Sequence, residues 1–212
     1  IRFVREVLKA VRLGAGKKMI VGLRLSGEEK DHAGLERNEV LNISAALAKD
    51  SLVDYLNVTV GTSAGLSGST HIVPPMAYEP AYVAPLAKAI REQTSLPIFV
   101  AGRINQPQTA ETLLKSEQAD MCGMTRALIS DPNMPLKAEM NRIDDIRTCV
   151  GCNQACIEHM LKGYPISCIQ HPETGREIQY GKLRPANFLN RILVVGGGPA
   201  GMKAATVAAK RG

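Results

Sequence analysis

Four short apolar runs, each followed by a helix-like segment, constrain this chain more than any other feature. Residues 19–26 (MIVGLRLS), 54–61 (DYLNVTVG), 96–103 (LPIFVAGR) and 119–126 (ADMCGMTR) read as strands. They are apolar along most of their length, as expected of strands buried on both faces. Helical patterns fill the gaps. Phe3, Val4, Val7, Leu8 and Val11 recur at helical spacing ahead of the first strand, and Gly14 and Gly16 end that helix. Val40, Ile43 and Leu47 share one side of a second helix, and residues 81–94 form a third in spite of Pro85. Residues 61–75 read as a Gly/Ser-rich loop. Asn105 is expected to cap a short helix with Pro107 in its first turn, and Asp131 to cap another with Pro132 at its first position. Repeated β–α units mean parallel strands. An open doubly wound sheet and half of a (β/α)8 barrel both fit.

The 212 residues suffice for one large domain or somewhat more, and the 45% apolar content supports a core. Aromatic residues are only 4% and Trp is absent, which argues against a base-stacking platform for nucleic acid. The net charge of +6 is scattered, with no run of five like charges. No apolar stretch is long enough to span a membrane. The amphipathic start lacks the parts of a signal peptide, and a cytoplasmic protein is expected. The chain does not begin with Met and ends inside a glycine motif, so it reads as an internal piece of a longer protein.

Three arginines, Arg24, Arg103 and Arg126, lie at or near strand ends. Parallel β–α folds bind ligands at the carboxyl ends of their strands, and barrels hold phosphate in the loops after strands 7 and 8. Gly102 and Gly123 would let the backbone approach a phosphate, and Arg103 and Arg126 would supply forked donors. The competing reading is that each arginine simply reaches solvent. Two glycine-associated arginines at the two expected loops favour the anion.

Four of the five cysteines fall in one segment, spaced Cys149-x2-Cys152-x3-Cys156-x11-Cys168. Disulfides are disfavoured, because nothing marks the chain as secreted and a fold this size needs no staples. A four-cysteine zinc site stays open, although such sites more often pair two knuckles across a longer gap. An iron–sulfur cluster also takes four thiolates, and one loop can supply three of them. Cys122 sits mid-strand and reads as a small buried hydrophobe. Further on, RILVVGGGPAG reads as an apolar strand, then Gly196-x-Gly198-x-x-Gly201, then a helix. That is the dinucleotide fingerprint in its required context: a tight turn at Gly196, pyrophosphate access at Gly198, close packing at Gly201. The acidic ribose ligand falls beyond Gly212. With no sheet to join, this tail is expected to be poorly ordered or to lie against an arbitrary surface.

Together, VGLRLS, AGRIN, ADMCGMTRALISDP and IRTCVGCNQAC resemble the flavoprotein family that includes 2,4-dienoyl-CoA reductase and trimethylamine dehydrogenase. That family joins an Old Yellow Enzyme-type FMN barrel, a 4Fe-4S loop and a nucleotide-binding domain. The resemblance implies that residues 1–141 are the C-terminal half of the barrel. Residues 142–190 would carry the cluster on Cys149, Cys152, Cys156 and Cys168. Residues 191–212 would open a Rossmann-like unit for FAD, ADP or NAD(P) through Gly196, Gly198 and Gly201. It places Arg24 beside the flavin ring. It places the FMN phosphate on Arg103, with Gly102, and on the segment Gly123, Met124, Thr125 and Arg126.

The reductase branch pairs a Tyr from the first barrel half with a His after the strand matching DYLNVTVG. His71 is therefore the catalytic candidate, against the reading that it is an ordinary loop histidine. His32 is a weaker candidate, and His159 and His171 flank the cysteine segment as support or surface groups. The amine-dehydrogenase branch has an Asp near this loop, but residues 61–76 contain no Asp or Glu. THIVPPM departs from both patterns and looks closer to relatives that demethylate N-methyl amino acids. The implied function is an FMN- and 4Fe-4S-dependent oxidoreductase of an enoyl thioester, an enone or an N-methylated amine. The expected partners are a small-molecule substrate and an electron-transfer protein, with no nucleic acid and no membrane span. The rival is a non-catalytic zinc- or nucleotide-binding module. The 212-residue chain alone is expected to be inactive.

Overall fold

The computed structural model describes residues 1–212. Four β–α units follow a leading helix: α1 (Arg2–Ala15), β1 (Gly22–Ser26), α2 (Arg37–Lys49), β2 (Tyr55–Thr59), α3 (Leu66–Ile72), α4 (Ala84–Arg91), β3 (Ile98–Ala101), α5 (Pro107–Lys115), β4 (Met121–Gly123), α6 (Thr125–Ser130) and α7 (Met134–Glu139). Beyond them are a 3-10 turn (Ile143–Asp145), a π-type turn (Gln154–Glu158), α8 (His159–Leu161), α9 (Glu177–Tyr180) and α10 (Pro199–Arg211). The strands form one parallel sheet in the order β1-β2-β3-β4. Consecutive parallel strands in spatial order are the arrangement of half a (β/α)8 barrel, in which helices cover only the outer face.

The strand residues alternate by face. Leu56, Val58, Ile98 and Val100 are fully buried against α2, α4 and their neighbours. Arg24, Asn57, Phe99 and Ala101 point to the other face, where Tyr55 stacks on Phe99 at 4.4 Å between centroids. The expectation that both faces are buried is therefore corrected. In a barrel this second face is the interior, and here only part of it is covered.

Two strand entries repeat one device. Asp54 accepts the Val21 amide at 2.7 Å and Asp120 accepts the Ile98 amide at 2.8 Å. Each aspartate thus ties the start of its own strand to the start of the preceding one. Arg12 also donates to Asp54 at 2.8 Å, and this side-chain bond, before the Val21 amide, holds the carboxyl below its ordinary range. With Arg5 on Asp50 at 2.6 Å, it docks α1. Of the predicted α1 face only Leu8 is buried, and Phe3, Val7 and Val11 remain exposed.

Several local expectations change. Met19 and Ile20 are exposed and precede β1 rather than belonging to it. The Gly/Ser-rich stretch is not all loop, because α3 forms within it. There Ser69 and Thr70 return their hydroxyls to the carbonyls of Leu66 and Ser67, and buried Gly68 lets the backbones pack closely. Pro85 does not interrupt its helix, because α4 starts at Ala84 and puts the proline in the first turn. Gln106, not Asn105, is the N-cap of α5. Asp131 is not an N-cap either: it is the C-cap of α6, and α7 has Asn133 as its N-cap and Pro135 in its first turn. Arg126 is not in a strand, since β4 ends at Gly123 and Arg126 lies in the first turn of α6.

The predicted strand at residues 191–195 does not form. Leu193 and Val195 are almost wholly exposed, and no ladder engages them. The helix of that motif does form, as α10 with Gly198 as N-cap. It touches the rest through Lys203 at 3.6 Å from Glu173, and through the Ala186 amide donating to the Arg211 carbonyl at 2.8 Å. Of the expected strand–helix unit only the helix forms, because the apolar run before it has no sheet to join.

Candidate functional site

The loops after β3 and β4 open at the same end of the sheet and frame a cavity of about 310 Å³. Arg24, Gly102, Arg103, Gly123, Thr125 and Arg126 line it. Each glycine has a steric reason to be there. Gly102, at φ +153, lies so close to Val83 that a Cβ would collide with that side chain, and a Cβ on Gly123 would meet Ala101 at 3.0 Å. Arg103 adopts a left-handed φ of +48, and its carbonyl accepts the Ala81 amide at 3.0 Å. Its Nε is buried with no hydrogen-bond partner. Native structures rarely leave such a donor unpaired, and the cost is about 1–3 kcal/mol for a neutral group and more for a charged one. Burial pulls Arg126 down from its ordinary range, and the Arg103 cation adds to this, while the thiols of Cys149, Cys156 and Cys152 oppose it. Two crowded guanidinium groups over a glycine-lined backbone fit a phosphate-bearing ligand such as FMN. Met124 is the N-cap of α6 and packs against the core rather than lining the cavity.

The far wall of the same cavity is the cysteine loop, through Cys149, Gly151 and Cys156. All four loop cysteines are free and half-buried. Burial lifts the Cys149 thiol above its ordinary value of 9.0; the Gly151 amide and Arg126 pull it down, and Cys168 and Cys156 raise it again. A multivalent cation is what holds several neighbouring thiols deprotonated together. A donor set of four sulfurs suits zinc or iron–sulfur. No three Cys, His, Asp or Glu side chains converge on a single-ion position. A polynuclear cluster takes each cysteine at a separate iron and so does not require the four to meet at one position.

Two asparagines that the sequence reading did not assign to the site hold this loop in place. Asn105 donates from Nδ2 to the Cys149 carbonyl at 2.5 Å. Asn153 accepts Arg126 Nη1 on Oδ1 at 2.7 Å and donates from Nδ2 to the Val73 carbonyl at 2.8 Å. The available signal was an Asn inside the cysteine motif, the residue type that best tolerates a left-handed turn after Gly.

His71 is not in the arginine cavity. It lies in the last turn of α3, with Nδ1 at 3.2 Å from the Tyr82 hydroxyl and its ring 4.7 Å from Tyr78. Burial, then the Lys30 charge, depress its pKa below the ordinary histidine value, which favours the neutral ring. It faces a separate recess of about 520 Å³ with Glu28, Lys30 and Asp31, while Ile72, Val73 and Pro74 line the arginine cavity. His32 is exposed beside Asp31. His171 is buried between Ile129 and Thr174, and His159 Nδ1 donates to the Pro165 carbonyl at 3.0 Å. Cys122 packs against the core, and burial raises its pKa. On the C-terminal turn, Gly201 lies so close to the Gly196 carbonyl that no side chain would fit. The glycine turn is present, but without a sheet beside it this tail does not by itself fit a dinucleotide.

Parallel β–α units with an arginine-lined cavity at the strand ends are the arrangement of a ligand-binding β/α barrel. The chain belongs to the NADH:flavin oxidoreductase / NADH oxidase family, which its residues 1–145 match. It is 38% identical over its whole length to N,N-dimethylglycine/sarcosine dehydrogenase of Chromohalobacter salexigens, of which it covers 31%. It is 37% identical to a metal reductase of Desulforamulus reducens across 99% of its own length and 30% of that protein. The solved structure of 2-naphthoyl-CoA reductase superposes on the whole chain with a TM-score of 0.90 at 30% identity, and the chain covers 32% of it. The chain therefore spans about a third of the length of the relatives it matches. No helix is long and apolar enough to cross a membrane.

Proposed function

We propose that residues 1–141 are the C-terminal half of an FMN-binding barrel. Residues 142–190 wrap a 4Fe-4S cluster, and residues 191–212 open a nucleotide-binding unit that holds FAD, ADP or NAD(P) in the whole protein. The whole protein is then an FMN- and 4Fe-4S-dependent oxidoreductase. The observation that carries this reading is Arg103 Nε, a buried cationic donor without a partner, beside Arg126 over Gly102 and Gly123. A flavin phosphate supplies the missing acceptor. When bound, FMN supplies two-electron chemistry and the cluster single-electron transfer.

The chain's own residues then divide the work. Arg103 and Arg126 fix the phosphate. Arg24 projects from the inner face of β1 and sets a positive charge inside the barrel. Cys149, Cys152, Cys156 and Cys168 supply the thiolates. His71, whose burial favours the neutral ring, can accept a proton, and the Tyr82 hydroxyl beside it orients the ring.

For substrate, we favour an N-methylated amine, because the dimethylglycine/sarcosine dehydrogenase is 38% identical over the whole chain. The second reading is an enoyl or aryl thioester, supported by the fold-level match to 2-naphthoyl-CoA reductase. Purification of the full-length protein that contains this chain tests both. About four irons and four sulfides per chain with a yellow flavin are expected. Bleaching by an N-methyl amino acid alone selects the first substrate, and turnover of a thioester with NAD(P)H the second. One zinc per chain, no sulfide and no flavin would overturn the reading in favour of a binding module.

A further inference from the structure

Asn153 stands where three loops meet. It follows Cys152, adopts a left-handed φ of +58, and its carbonyl accepts the Glu158 amide at 2.9 Å to start the π-type turn. Its amide group can be oriented in only one way. Arg126 is purely a donor and must meet Oδ1, whereas the Val73 carbonyl is purely an acceptor and must meet Nδ2. One side chain thus joins the arginine of the anion cradle to the segment that leaves α3 just after His71. Two residues earlier, Gly151 takes φ +73, and a Cβ there would lie 3.3 Å from the Met76 amide nitrogen and 3.5 Å from Arg103 Nε. The turn from Cys149 to Asn153 is therefore wedged between both arginines and residues 73–76.

We propose that Asn153 is a positioning residue that couples the anion cradle to the cysteine loop, holding Arg126 aimed at the phosphate and the loop seated on Val73. This rests on the functional reading above. Because coupling between two sites is reciprocal, a filled cradle stabilises the seated loop, and a loaded loop strengthens anion binding.

Two variants of the full-length protein test it. Asn153→Gly keeps the left-handed backbone and removes only the side chain. Asn153→Asp keeps the shape, but it loses the donor to Val73 and sets a carboxylate on Arg126 that competes with the phosphate. FMN and riboflavin affinities are measured on deflavinated protein, and iron release is timed in a chelator. Circular dichroism confirms that both variants are folded.

For Asn153→Gly, FMN binding should weaken about tenfold or more, the scale of a hydrogen bond to a charged group. Riboflavin, which has no phosphate, should bind within about twofold of wild type, since Arg126 acts on the phosphate. Iron should leave faster. Asn153→Asp should lose more FMN affinity than Asn153→Gly. Equal losses for FMN and riboflavin would overturn the proposal in favour of a merely structural residue, as would FMN affinity and iron release unchanged from wild type. A wild-type protein that binds neither flavin nor iron overturns the underlying functional reading itself, so the two failures are separable.

Discussion

The sheet half of the molecule and the cysteine half are held together by different physics. All 18 residues of the main hydrophobic cluster lie between Leu8 and Ala119. After residue 141 the only buried residues are Gly151, His171 and Thr174, none with a hydrophobic side chain. The first region is stabilised by apolar burial. The second is stabilised by polar struts to the first: Asn105 to the Cys149 carbonyl, Ser130 Oγ to the Arg147 carbonyl at 2.7 Å, and Thr174 Oγ1 to the Ile129 carbonyl at 3.1 Å. Each such bond is worth a net ~0.5–1.5 kcal/mol. A segment built this way gains far more from an internal cross-link than the sheet would. Four of the five cysteines fall on that side of the molecule.

The sharpest way to break this contrast is at the seam. Asp131 is fully buried, holds Lys137 Nζ at 2.5 Å and accepts the Arg147 amide at 2.9 Å. Burial alone would raise its pKa, but Lys137 and the Arg147 and Asn133 amides outweigh it and hold the carboxyl below 3.8. Asp131→Asn strands the Lys137 cation and should cost about 3–5 kcal/mol in denaturant unfolding. Because the folded pKa is depressed, the stabilisation is complete above the unfolded value of about 3.9 and disappears as pH falls through the folded one. The variant should therefore lose that acid limb of the stability profile. A loss under about 1 kcal/mol would show that the seam is held elsewhere.

A smaller effect tests the sheet. Leu56 is fully buried at the centre of the cluster, and Leu56→Ala should cost about 3 kcal/mol. Hydrogen exchange should show the cost as global opening of β2 and β3. In the full-length holoprotein, a chelator should instead open residues 148–170 and leave those strands protected. If both treatments opened both regions together, the contrast would fail. The smallest effect is expected at the C-terminus. No residue of α10 is buried, so deleting residues 191–212 from this chain should change stability by no more than about 0.5 kcal/mol. A larger loss in thermal unfolding would mean that the tail packs more firmly than its exposure indicates.

The order of β–α units was legible because helices and strands differ in the period of their apolar residues. Arg126 reads as strand because the apolar run of ADMCGMTR continues through Met124 past Gly123, where β4 ends. Asn105 and Asp131 carry the residue types of helix caps, and the local rule was sound, but tertiary partners outcompeted it: the Cys149 carbonyl for one, Lys137 for the other. The arginines and cysteines of the candidate site could be named individually. Their shared cavity could not, because it depends on Asn153 reaching across 80 positions to Val73. The Asp54 and Asp120 device also went unseen. It occurs at two strand entries, but only the ladder shows which amide each carboxylate meets.

The sheet order leaves β1 and β4 each with one neighbour. Each therefore offers an outer row of backbone donors and acceptors to whatever strand arrives first. A parallel strand completing the barrel would bury those rows, whereas another copy of the chain would extend the sheet without closing it. Those edges make the four-stranded sheet self-templating when the chain is alone in solution, so its colloidal behaviour depends on how soon another strand covers them.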